Sequence, residues 1–259
     1  MKISILGTNG FLSNAIAKYF YSNGWTVNMI GLEEPCHKYH SFTPINFLKD
    51  EIDYTIISDS DIIVYASGAG IQSNLNDSVD LIYQLNTILP TNISNKLNSI
   101  GYKGIFITFG SYFELGESNE DKAVSENEII TSTSKAPTDY VVSKRMLTRY
   151  ISSVEHNYKH WHFILPTIYG PGENNKRLIP YTINAILNNE ELHFTSGQQV
   201  RQYLYVGDVP KILNLSIERE LSSIETVNDL SWSGPCSSTK TYSIFSSGFF
   251  WITSCNSVL

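Results

Sequence analysis

The stretch "TDYVVSKRMLTRY", Thr138 to Tyr150, places Tyr140 and Lys144 four residues apart in a helical pattern. Side chains at i and i+4 share one helix face, so a phenol and an ammonium can converge on one bound molecule. A phenol, with a reference pKa of about 10, is a poor acid–base group at neutral pH, and a neighbouring ammonium favours its anion and lowers that value. The chemistry such a pair supports is proton transfer to or from an oxygen of a bound substrate. The same spacing also fits a half-buried ring beside a solvated amine, so the surrounding chain has to decide.

The elements that would position this pair begin at the N-terminus. "KISIL" reads as a first strand, and "ILGTNGFLSNAIA" carries it through a glycine turn into a helix closed by Gly24. Gly7 permits the tight turn. Gly10 lets backbone approach a pyrophosphate at the helix N-terminus, where unpaired N–H groups and the dipole attract anions. The third small position of such a turn is Ser13. A second strand, "TVNMIG", ends on Gly31, where an NAD-binding chain usually places an acid for the adenine ribose hydroxyls. No carboxylate stands at Gly31 to repel a 2′-phosphate, and His37 and Lys38 follow closely, although Glu33 does too. NADP(H) is therefore the expected cofactor, with NAD as the alternative.

Strand-length apolar runs alternate with helical patterns through the first two thirds of the chain: "SDIIVYASG", a long helix interrupted near Pro90, "GIFITFG", a polar loop from Glu114 to Ala136, the Tyr140 helix, and "WHFILP". That rhythm predicts an α/β fold, a doubly wound parallel sheet covered on both faces, over residues 1–165. After Pro166 the chain turns to Gly, Pro and Asn-rich loops, a helix around "LIPYTINAILNN" and a strand pair near "LHFTSGQQVRQYLYV". Residues 166–259 are expected to form a smaller lobe capping the sheet. The tail is atypical from about residue 230: it has no acidic residue after Asp229 and one base, Lys240. An edge element, an altered reading frame and a truncated lobe all fit it.

A chain of 259 residues with 42% hydrophobic content can bury one large core. Its net charge of -7 opposes a duplex nucleic-acid surface, which needs a basic face to displace counterions. Cys36, Cys236 and Cys255 are too few and too scattered for a disulfide framework or a zinc cluster, which points to a reducing cytoplasm. The opening apolar run is too short for a signal-peptide core, and no stretch reaches the length of a membrane span. His156, His160 and His162 in "EHNYKHWHF" alternate at a strand entry, are expected to be partly exposed, and have no acid beside them to complete a metal set.

With the glycine turn, "DIIVYASG", Asn86, "FGSYFELG" and "YVVSK" in this order, residues from Met1 to about Val209 resemble the extended short-chain dehydrogenase/reductase family, in its nucleotide-sugar epimerase, dehydratase and reductase branch. The resemblance implies a Rossmann sheet for the dinucleotide and a C-terminal lobe for a nucleoside-diphosphate sugar. It places the catalytic Ser/Thr at Ser111 and the Tyr–Lys pair at Tyr140 and Lys144. Lys144 would also grip the nicotinamide ribose, with Asn86 helping to hold it. The cofactor would meet Gly7, Asn9, Gly10, Phe11 and Leu12 in the turn, Ala66 and Ser67 after the "DIIVY" strand, Asn86, the Tyr–Lys pair, and Pro166. Substrate would meet Ser111, Tyr112, Thr167 and Arg201, the last matching the family's diphosphate-binding arginine, a role suited to its planar charged fork.

Dehydratase members carry adjacent Asp and Glu after their Ser/Thr. Tyr112 and Phe113 stand there in this chain, which disfavours dehydration. The expectation is a cytoplasmic homodimer, paired through a four-helix contact, that reduces a nucleoside-diphosphate 4-keto-6-deoxyhexose for surface-polysaccharide synthesis. A 4-epimerase and a non-catalytic dinucleotide binder with an incomplete C-terminal lobe are the alternatives.

Overall fold

Branched and apolar residues with strand periodicity open the chain as β1 (Lys2–Leu6), and an alternation of elements follows in the computed structural model. The succession is α1 (Phe11–Ser22), β2 (Thr26–Gly31), β3 (Ser41–Pro44), α2 (Tyr54–Ser58), β4 (Ile62–Tyr65) and α3 (Val79–Tyr83). A π turn (Gln84–Ile88) then leads into α4 (Leu89–Ser99), β5 (Ile105–Ser111), a 3₁₀ turn (Tyr112–Leu115), α5 (Glu126–Thr131) and α6 (Asp139–Ser153). β6 (Lys159–Leu165), β7 (Thr167–Tyr169), α7 (Leu178–Asn188), β8 (Tyr203–Tyr205), α8 (Val209–Glu225), β9 (Tyr242–Ile244) and β10 (Phe249–Ile252) complete the order. The structure describes residues 1–71, 76–117, 124–193 and 201–225, and the strand backbone at 242–244 and 249–252.

The main sheet has the order β3-β2-β1-β4-β5-β6-β10-β9. Its pairs are parallel except β10 with β9. This is the doubly wound sheet that the strand–helix rhythm predicts. Alternation along β1 sorts its side chains between two cores. Ile3 and Ile5 pack with Ile16 and Phe20 of α1 and with Leu213 and Ile217 of α8. Leu6 joins Ile93 and Leu97 of α4 and Phe106 of β5 on the other face. Fully burying side chains of this size stabilises by about 1.5–3 kcal/mol each.

Several elements differ from the sequence-based expectation. The segment read as a polar loop from Glu114 to Ala136 contains the 3₁₀ turn and α5, each opened by a capping box, Ser111 with Glu114 and Ser125 with Glu128. The break near Pro90 is a π turn within a continuing helix. Pro90 has no N–H for the Asn86 carbonyl, so the backbone widens instead of ending. The described part of the atypical tail adds β10 beside β6 and β9 at the sheet edge. β8 pairs in parallel with β7, while residues 194–200 of the expected strand pair lie outside the described set.

Candidate active site

The turn after β1 has the shape a pyrophosphate cradle needs. Gly7 sits at φ +120°, and a Cβ there would lie 2.8 Å from Ser67 Oγ and 3.0 Å from the Ala66 carbonyl carbon. Any side chain at Gly7 would therefore be strained and would collide with the end of β4. Gly10 is the N-cap of α1 and supplies no side-chain cap, and the first turn carries no acid, so Phe11 and Leu12 open the helix with its positive end clear. Ser13 is fully buried, its hydroxyl donating to the Gly10 carbonyl at 3.0 Å, which explains how serine serves where a smaller residue is usual. Asn9 adopts φ 58° and spends its amide on the loop after β2: Nδ2 donates to the Glu34 carbonyl and Oδ1 accepts from the Cys36 N–H. Its side chain thus braces the cradle. Gly31 has its own structural reason, since a Cβ there would lie 2.8 Å from Thr8 Oγ1.

Ser111, Tyr140 and Lys144 are brought together at the C-terminal end of β5. Thr138 caps α6, accepting from the Val141 N–H, and so starts the helix two residues before Tyr140. The Ser111 hydroxyl bears on the Tyr140 phenol. Lys144 Nζ lies 5.9 Å from the Tyr140 ring centroid and donates to the Phe109 carbonyl at 3.0 Å. Burial pulls the Lys144 ammonium down to about 8, against the opposing effect of Glu114. The expected lowering of the phenol by Lys144 does not govern this structure. Burial holds Tyr140 above its ordinary value and Glu114 adds to that, while Ser111 and Arg177 act in the opposite direction.

Two residues that the sequence did not single out complete the cluster. Glu114 is fully buried. One oxygen accepts from the Ser111 N–H at 2.7 Å, and the other is buried without a partner. Burial lifts this carboxyl above the usual range against the pull of Thr148, the Ser111 N–H, Lys144 and Arg145. Arg177, at the N-cap of α7, pairs with Glu173 at 2.6 Å and presents its charge towards the Tyr140 phenol. Arg145 fixes the turn after Ser111 by donating to the carbonyls of Glu114 (2.5 Å), Ser134 (2.6 Å) and Leu115 (2.9 Å).

The remaining expected residues divide. Tyr112 and Thr167 meet, the threonine hydroxyl donating to the phenol oxygen at 3.2 Å. Pro166 is buried between β6 and β7, and Ala66 and Ser67 close the end of β4 over Leu6, whose carbonyl accepts from both. Arg201 is exposed just before β8, near the Thr167 end of β7. Asn86 does not hold the lysine ammonium. Its fully buried amide donates to the Ala69 carbonyl and to Ser143 Oγ, tying the loop after β4 to α6. A cleft of about 1030 Å³, lined among others by Ile62, Ile105 and Lys159 at the starts of β4, β5 and β6, lies at the opposite edge of the sheet from this cluster.

The histidines also depart from expectation. His160 and His162 are 7% and 0% exposed, because β6 lies between β5 and β10. Burial depresses His162 to about 3. The folded chain therefore binds fewer protons at this site than the unfolded chain between about pH 3 and 6.5, so stability is lost as pH falls through that window. From pH 7.5 to 5.5 His162 alone is expected to cost on the order of 1 kcal/mol. Denaturant unfolding at both values checks this, and an unchanged midpoint would contradict it. Among the described residues no group of three His, Cys, Asp or Glu could hold a metal ion.

Residues 3–228 match the model of the NAD dependent epimerase/dehydratase family. The chain is 27% identical over 218 residues to the CDP-abequose synthase of Yersinia pseudotuberculosis, covering 81% of this chain and 70% of that protein. It is 30% identical to the Salmonella typhimurium CDP-abequose synthase over 77 residues, a match spanning 27% of this chain and only 24% of that enzyme. Among solved structures, the UDP-N-acetylglucosamine 4-epimerase of Methanobrevibacter ruminantium M1 superposes with a TM-score of 0.70 at 19% identity, covering 84% of this chain and 73% of that one, a likeness of fold. With the match running from β1 through α8, the chain belongs to the NAD dependent epimerase/dehydratase family.

Proposed function

We propose that the protein is an NADPH-dependent reductase of a CDP-linked 4-keto-6-deoxyhexose. The observation that carries this reading is the convergence of Ser111, Tyr140 and Lys144 at the same edge of the parallel sheet as the Gly7–Gly10 turn, the carboxyl ends of β5 and β1. Ligands of open α/β sheets bind along that edge. The glycine turn fits a nicotinamide dinucleotide, which would supply hydride to the ketone carbon. Tyr140 holds the proton that the reduced oxygen takes, Ser111 orients that oxygen, and Lys144 sets a positive charge over the Tyr140 ring. The balance is one ketone, one hydride and one proton to one alcohol.

In this reading the substrate meets Tyr112, Thr167 and Arg201, the last suited to a diphosphate, while Arg177 is held by Glu173 beside the phenol. Similarity to two CDP-abequose synthases supports a CDP-linked sugar. Tyr112 and Phe113 offer no carboxylic acid–base pair for eliminating water. For the cofactor, Gly31 offers no carboxylate, the Glu34 carboxylate is engaged by the Tyr39 hydroxyl, and Lys38 is exposed. The reading includes a homodimer in the cytoplasm and a capping lobe built on β7, α7 and β8.

NADPH absorbance followed with CDP-, dTDP-, GDP- and UDP-linked 4-keto sugars tests the reading. The expected result is one NADPH oxidised per alcohol formed, fastest with CDP sugars, and a lower Michaelis constant for NADPH than for NADH. Isomerisation with no net cofactor oxidation would make the protein an epimerase. Dinucleotide binding without turnover of any sugar would remove the enzymatic reading.

A further inference from the structure

β6 places His160 and His162 on one face of a buried strand, where apolar side chains would ordinarily pack, and a series of hydroxyls and imidazoles surrounds them. His156 Nε2, half-buried in the loop before β6, lies 2.7 Å from Ser94 Oγ of α4. Ser94 Oγ lies 3.5 Å from His160 Nδ1, and His160 Nε2 lies 3.1 Å from Thr108 Oγ1 of β5. Thr108 Oγ1 lies 2.8 Å from His162 Nδ1, and His162 Nε2 lies 2.9 Å from Thr148 Oγ1 of α6. Glu114 Oε1 and His162 Nε2 both lie against Gly110, 2.7 and 2.6 Å from where a Cβ on that glycine would stand, and the second Glu114 oxygen is buried and unpaired. Satisfying two buried imidazoles requires partners, but not an alternating series whose one end reaches a half-exposed ring and whose other end reaches an unpaired carboxyl oxygen. Five residue steps along β5 lead from Phe106, opposite His160, to Ser111, a path of roughly 16 Å at strand rise.

We propose that His156, Ser94, His160, Thr108, His162, Thr148 and Glu114 form a proton path between solvent at the start of β6 and the Ser111–Tyr140–Lys144 cluster. Resting on the reductase reading, the path replaces the one proton each turnover consumes. A hydroxyl donates once and accepts up to twice, and a neutral imidazole accepts on one nitrogen while donating from the other. A proton entering at His156 is thus matched by one passed from Glu114 to the phenolate that reduction leaves at Tyr140, which restores the phenol with no net change in any member. Rotation of hydroxyls and rings restores the starting tautomers. The histidines and threonines act through Tyr140 and touch no reacting atom, so they are positioning residues of the relay.

Thr108→Val keeps the shape of the side chain and removes the central hydroxyl, while Thr108→Ser keeps the hydroxyl. Thr108→Val is expected to lower kcat on the order of tenfold with a larger solvent isotope effect and an unchanged KM, and Thr108→Ser to retain both wild-type values. His156→Phe, at the half-exposed end, should show the same loss and be restored by added imidazole, and it carries the test if Thr108→Val fails to fold. Exchange of the His162 ring N–H with D2O, followed by nitrogen-15 NMR without substrate, should slow on the order of tenfold in Thr108→Val and His156→Phe but not in Thr108→Ser. Equal exchange in all forms, or unchanged kcat and isotope effect in both blocking variants, would overturn the path. Because the exchange measurement needs no turnover, it decides the path even if no keto sugar is reduced and the reductase reading fails.

Discussion

Tyr140→Phe is expected to lower kcat for ketone reduction by about 10²- to 10⁴-fold, the range for removing one positioned acid, with little change in dinucleotide affinity. The substitution removes one oxygen and leaves the ring. That ring is set by α6, whose start depends on Thr138 and whose buried face rests on Val141, Leu147 and Ile151, none of which the change touches. In the proposed reading cofactor binding depends on the Gly7–Gly10 turn, which lies on a different element. Single-turnover kinetics with NADPH and a CDP-linked 4-keto sugar separates the two effects. A variant within a few-fold of the wild-type rate would show that the proton comes from elsewhere. A variant that loses cofactor binding would show that the phenol acts mainly in holding the dinucleotide.

Lys144→Met should be nearly as severe, on the order of 10²-fold in kcat/KM, and should also change the pH profile. Met keeps the length of the stem and removes the charge over the phenol ring. In the wild type Lys144 titrates at about 8, so it is an ammonium below that pH and neutral above it. Burial holds Tyr140 protonated well past this value, so the loss of the ammonium is met first as pH rises. kcat/KM for reduction is therefore expected to be level below pH 8 and to fall as pH rises through it, since this ratio reports the groups of the free enzyme. In Lys144→Met the fall near pH 8 should vanish. A wild-type profile that stays level to pH 10, or a variant that keeps the same fall, would contradict the assignment.

Much of this site was readable from residues that are close in sequence. Gly7, Gly10 and the strand and helix flanking them are one local unit, and the Tyr140–Lys144 spacing is one turn of α6. Ser111 followed from the order of the motifs, and its hydroxyl bears on the Tyr140 phenol. What escaped depended on contacts between distant elements. Glu114 reads as a loop acid in "FELG", yet it is fully buried because the 3₁₀ turn folds it back onto the Ser111 N–H and under α6. Alternating His160 and His162 imply an exposed strand face only if one side of the strand meets water. α4 and α6 cover that side, with Ser94, Thr108 and Thr148 supplying the partners. α8 has an amphipathic sequence, but its place against α1 comes from the sheet order. Gly31 shows the converse: the reading of a cofactor preference from a missing acid meets a second cause, the packing of Thr8 against that glycine.

The most direct test of the central claim, that Ser111, Tyr140 and Lys144 deliver a proton to a ketone as it receives hydride, is the fate of deuterium from NADPH carrying deuterium at both C4 positions. With a CDP-linked 4-keto-6-deoxyhexose, proton NMR of the product should show one deuterium per molecule on carbon 4 with the wild type. Tyr140→Phe should give the same product at a rate about 10²- to 10⁴-fold lower. Product formed without deuterium at carbon 4, or at the same rate in both proteins, would contradict the account.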